Sequence, residues 1–169
     1  MTHAQSGAML RYAGRLGGSY PTEISEQLEV EKVLGLEADL DKAWTPLYQI
    51  ANWPQALGYP SDFKNTDEGK AKIKEMREAF ARDTIPKFYG YFTAQLKAHA
   101  AEDGTLQFMA GAKPTVADFA VVPSIEKYTL GFTDHVPTTV MDPYPELKEY
   151  IARVKALPGI REYLAALKK

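Results

Sequence analysis

A chain of 169 residues, 45% hydrophobic and 25% charged, has the length of one domain and the make-up of a folded globular protein. Its net charge of −2, with acids and bases mixed along the chain, leaves no basic footprint for nucleic acid. With no cysteine, disulfides, thiolate metal sites and cysteine nucleophiles are excluded. No apolar stretch approaches membrane-spanning length, and no signal-peptide pattern precedes Gln5. His3, His99 and His135 are scattered without ligand spacing; they read as surface residues, and no metal site is expected.

Taken in order, the elements are helices nearly throughout. Residues 6–16 carry Met9, Leu10, Tyr12, Ala13 and Leu16 close to a helical stripe, which Gly17-Gly18 end before Tyr20-Pro21. A long helix is predicted from about Glu23 to Ile50, with Leu28, Val30, Val33, Leu34, Leu36, Leu40, Trp44 and Leu47 spaced by threes and fours. Pro46 is expected to kink or thin its last turns. Residues 51–67 are rich in Pro, Gly and Asn and read as a loop, with Asp67 as the cap of the next helix. That helix, about Glu68 to Ala101, buries Ile73, Met76, Phe80, Ile85, Phe88, Phe92 and Leu96, bends at Pro86 and ends before an Asp103-Gly104 turn. Its Lys/Glu-rich start, from Asp67 to Arg82, reads as a solvated face.

Thr115 and Asp118 have the spacing of a capping box, flanked by Pro114 and Phe119 as a hydrophobic staple. Two helices close the chain. One, near Tyr144 to Ala156, turns Leu147, Tyr150, Ile151 and Val154 inward, and the other follows Leu157-Pro158 with Ile160, Tyr163, Leu164 and Leu167. No alternating run is long enough for a strand, and there are no repeats. The fold class is all-α, a helical bundle.

Three motifs carry a family resemblance. "QSGAMLRY" followed by "GGSYP" resembles the glutathione-binding Glu/Gln-Ser pair and third helix of cytosolic glutathione transferases. "KPTVADF" resembles their buried capping box, and "YPELKEYIARVKALPGIREYL" their closing helices. The Gln-Ser pair is most similar to the sigma, mu, alpha and pi group. The resemblance implies that residues 1–18 are the last helix of a thioredoxin-like domain and residues 19–169 the helical C-terminal domain. The sheet on which the first helix would rest is not in this chain. The catalytic tyrosine of the family lies near the end of its first strand, so no catalytic residue is expected here; Tyr12 and Tyr20 lie on or just after the wrong helix.

By resemblance, Gln5 and Ser6 hold the γ-glutamyl end of glutathione, the co-substrate, at a helix N-terminus whose free amides suit a carboxylate. From the spacing alone, Ser6 simply caps its own helix. Asp39 lies near the position from which family members reach glutathione across the dimer, while its own neighbourhood, "LEADLDK", reads as solvated acids. Asp118 reads as a cap and not a catalytic carboxylate. Trp44, Tyr48 and Trp53 are either a wall of the electrophile pocket or core. Two functions follow from the resemblance. One is a glutathione transferase that conjugates electrophiles when its N-terminal domain is present, cytoplasmic and dimeric. The other is a non-catalytic helical domain serving as a subunit of a larger complex. The Gln-Ser pair favours the first, and the missing sheet favours the second.

Overall fold

The computed structural model describes residues 5–167. Its helices are α1 (Ser6–Leu16), α2 (Ile24–Asn52), α3 (Asp67–Ala79), α4 (Ile85–Ala98), α5 (Val116–Glu126), α6 (Pro145–Lys155) and α7 (Pro158–Ala166). Among the described residues there is no strand, only an isolated bridge between Phe108 and Gly111. None of their helices is long and apolar enough to cross a membrane.

The capping box at α5 organises the centre. Thr115 is extended, and its amide donates to Asp118 Oδ2 at 2.7 Å. The Thr115 hydroxyl accepts from the Ala117 amide at 3.3 Å, so orphan amides of the first turn are met locally. Asp118 is fully buried, and its Oδ1 also accepts from the Met109 amide and the Tyr150 hydroxyl, each at 2.9 Å. One carboxylate therefore ties α5, the 108–111 turn and α6 together. Burial raises its pKa, and these hydrogen bonds pull it back.

α1 rests on this chain's own α5. Leu10 packs on the main core and Gly14 is buried, while Met9, Tyr12 and Leu16 of the predicted stripe are exposed. Arg11 clamps Glu31 of α2 with two bonds of 2.7 and 2.6 Å, and the Tyr20 hydroxyl donates to the same carboxylate at 2.8 Å. α2 runs through Pro46 to Asn52, two residues past the expected end, because its last turns are held by Leu47 and Ile50 in the core. Leu28, expected inward, is exposed.

The segment 51–67 is more ordered than a plain loop. It forms two 3₁₀ turns, Pro54–Leu57 and Phe63–Asn65, and Phe63 joins Ile50 and Ile73 in a small second core beneath a stacked Tyr59. The cap of α3 is Thr66 and not Asp67: Thr66 is extended and its Oγ1 accepts from the Gly69 amide at 3.0 Å, while Asp67 is already helical. The predicted 68–101 helix is two helices joined by a π turn, Phe80–Thr84, with Pro86 in the first turn of α4. Proline lacks the amide of a normal turn and clashes with the carbonyl four residues back, and the wider turn accommodates it.

A further expectation is corrected. His99 is not a surface residue but is half-buried, with Nε2 3.1 Å from Glu29 Oε2 on α2. His135 is exposed, and His3 lies outside the described residues. α7 buries none of its residues; Ile160 and Leu164 are half-buried, and Tyr163 and Leu167 are exposed, because α6 is its main neighbour.

Candidate functional site

The candidate glutathione clamp begins at Gln5. It is the N-cap of α1, in a backbone conformation of φ 72 and ψ 94, and makes no side-chain cap bond. A positive φ at a non-glycine residue is uncommon and costs of order 1–3 kcal/mol; such residues cluster at ligand clamps. The Gln5 carbonyl accepts from the amides of Ala8 and Met9 at 3.0 and 3.1 Å, which starts the helix. Ser6 is thus the first helical residue and not the cap, so the reading of its hydroxyl as a cap is corrected. Gln5 and Ser6 are both exposed.

Ser6 opens onto a cleft of about 420 Å³ between α1 and α2 that Gly7, Arg11, Glu37 and Asp41 also line. Its charges are mostly spoken for. Arg11 is held by Glu31, Asp41 pairs with Lys127 at 2.6 Å, and Glu37 accepts from the Ser124 hydroxyl. Asp39 is exposed on α2, does not line this cleft and makes no side-chain hydrogen bond among the described residues. Two residues along a helix turn a side chain about 200° from its neighbour, so Asp39 and Asp41 face different ways. Within one chain Ser6 and Asp39 are not brought together.

The aromatic trio divides. Trp44 and Tyr48 line a second cleft, whereas Trp53 does not; it is exposed and meets Tyr48 edge-on at 5.7 Å. Trp44 is half-buried, its ring 5.3 Å from Phe80 and 5.4 Å from Tyr128. Arg77, read from sequence as part of a solvated face, is buried in the wall of this cleft. The signal was its position: it lies four residues after Ile73 and three before Phe80, on the apolar stripe of α3.

The tyrosines are engaged elsewhere. Tyr20 donates to Glu31, Tyr89 to the Ile125 carbonyl at 2.7 Å, and Tyr150 to Asp118. Burial, above all, raises the pKa of all three. No tyrosine lines the cleft at Ser6.

A family model for the glutathione S-transferase C-terminal domain matches residues 59–166. No curated protein matches the sequence. Prostaglandin synthase D of Nilaparvata lugens superposes with a TM-score of 0.73 at 18% identity, over 98% of this chain and 69% of that one. The monomeric Na-GST-3 of the hookworm Necator americanus gives 0.65 at 20% identity, over 97% and 68%. The glutathione S-transferase of Ascaris lumbricoides gives 0.60 at 20% identity, also over 97% and 68%. At these identities the structures show a shared fold; the family match spans well over half of the chain and includes the buried Asp118 capping box. The chain belongs to the glutathione S-transferase family, of which it holds the C-terminal helical domain.

Proposed function

We propose that these residues act as a non-catalytic helical module of the glutathione transferase family, docking onto another protein surface through α1 and α7. The observation that carries this reading is the placement of large apolar side chains outside a finished core. Met9, Tyr12 and Leu16 stand exposed on α1, Tyr163 on α7 and Leu167 just past its end, while the core is closed by other residues. Exposed apolar faces of this kind are what partners cover.

A second reading is favoured by the positive φ of Gln5 beside Ser6. Joined to a thioredoxin-like domain, the module completes a cytoplasmic glutathione transferase. Gln5 and Ser6 then hold the γ-glutamyl end of the co-substrate, and Asp39 reaches it from a second copy in a homodimer. The test compares the 169-residue chain with a fusion carrying a thioredoxin-like domain upstream of Gln5. On the first reading the chain alone gives no conjugation of an aryl halide above the solution rate, and light scattering shows association. Turnover by the isolated chain overturns the non-catalytic reading. A strict monomer with strong amide protection over residues 6–16 overturns docking through α1. The second reading requires that the fusion bind glutathione and that Ser6→Ala weaken that binding.

A further inference from the structure

The cleft beyond the end of α2 has the chemistry of an anion site. Its volume is about 610 Å³, and Lys64, Lys70, Arg77, Lys127 and His135 line it against a single carboxylate, Asp134. Trp44, Tyr48, Tyr128 and Phe132 supply apolar surface in the same wall.

Arg77 is its central group. The residue is only 8% exposed, and its guanidinium lies 5.9 Å from the Trp44 ring centroid. Its nearest carboxylate, Asp134 Oδ2, is 3.8 Å from Nη1, and the Asp134 side chain is 85% exposed. The Asp134 carbonyl accepts from Nη1 at a long 3.5 Å. Arg77 Nε and the Tyr128 hydroxyl, both buried, have no hydrogen-bond partner among the described residues. A buried cation without a close counter-charge is costly, and a pair of N–H donors on one guanidinium matches a carboxylate in two-bond geometry. Burial pulls the Arg77 pKa down, with Asp134 alone opposing it. Lys127 is committed to Asp41, whereas Lys64 and Lys70 are exposed and make no ion pair among the described residues.

We propose that this cleft binds a small aryl carboxylate, which displaces Asp134 from Arg77, faces Lys64 and Lys70, and lays its ring against Trp44 and Tyr48. The ring uses the aromatic wall, and the carboxylate supplies the counter-charge that Asp134 gives only from the edge. The cleft shares no lining residue with the one at Ser6. The proposal therefore stands or falls apart from the readings of α1 and of glutathione.

The test is calorimetric titration of the full chain with 1-naphthoate, and with 1-naphthalenemethanol as its neutral counterpart. Saturable binding of the carboxylate is expected, with the alcohol weaker by roughly 10–100-fold, the range for a hydrogen bond to a charged group. Arg77→Gln should weaken naphthoate by a similar factor. Arg77→Lys, which keeps the charge but loses the fork, should fall between. Lys70→Glu changes an exposed residue, leaves the fold intact and should weaken binding about threefold or more. No saturable heat with naphthoate, equal affinity for the alcohol, or unchanged affinity in Lys70→Glu and Arg77→Lys overturns the proposal. So does displacement of naphthoate by stoichiometric glutathione.

Discussion

Gly14 of α1 lies so close to Val116 of α5 that a β-carbon at Gly14 would stand 2.2 Å from Val116 Cγ1. Alanine is the better helix former, yet here its methyl group has no room, since Val116 is itself buried. Gly14→Ala is expected to destabilise the chain by about 1–3 kcal/mol, the cost of overpacking. Val116→Ala in the same chain should recover part of that loss. Urea unfolding of the two variants checks it; an unchanged midpoint for Gly14→Ala would mean that α1 does not rest on α5.

Asp118→Ala strands two buried donors, the Met109 amide and the Tyr150 hydroxyl, and the half-buried Thr115 amide. Each buried donor left alone costs about 1–3 kcal/mol, so the variant is expected to lose several kcal/mol in thermal unfolding. Tyr150→Phe removes a single bond and should cost about 1 kcal/mol. A double-mutant cycle between the two positions should give a clear coupling energy, and strict additivity would contradict the shared bond.

The α3 cap distinguishes two neighbouring residues. Thr66→Ala removes the acceptor for the Gly69 amide and should cost about 1 kcal/mol, whereas Asp67→Ala forfeits only a helix-dipole contact of about 0.3–1 kcal/mol. Chemical denaturation of both variants decides which residue is the cap. Gly69→Ala should be worse than either, because its β-carbon would meet the Phe63 carbonyl oxygen at 1.8 Å.

Acid should weaken the contact between α1 and α2. The Arg11 hydrogen bond, against the opposing effect of burial, holds the Glu31 carboxyl below its ordinary value. A carboxylate whose pKa is lowered on folding contributes stability above its unfolded pKa, about 4.3 for Glu, and loses it as pH falls through the folded value. Glu31→Gln should therefore flatten the fall in stability below about pH 4.3. Asp118 acts with the opposite sign: its raised pKa favours folding at low pH, and that benefit fades as pH rises through the folded value. Melting temperatures from pH 3 to 7 test both, and an identical slope in Glu31→Gln would remove Glu31 from the account.

The sequence by itself determined what depends on residues within a turn of one another. The Thr115–Asp118 box follows from side chains three positions apart, the Asp103-Gly104 turn from Asp103 accepting from the Thr105 amide two positions on, and the end of α1 from the backbone freedom of the glycine pair after Leu16. That α1 starts at Ser6 is legible from its glycine-ended apolar stripe, whereas the place of Gln5 as its cap, at a positive φ, is not. Periodicity marks which helix face is apolar but not whether a neighbour covers it. Met9 and Leu10 share one stripe, yet only Leu10 meets the core, and α7 carries an amphipathic pattern with nothing buried. Tertiary structure alone decided the pairs formed by residues far apart in the chain. His99 reaches Glu29 across 70 positions, and Lys127 reaches Asp41 across 86. Arg77 sits on the apolar stripe of α3, but its charge by itself predicts solvation, so the sequence reads it as a surface cation. It is buried because Trp44, contributed by another helix, covers it, and no local pattern encodes which helix will arrive there.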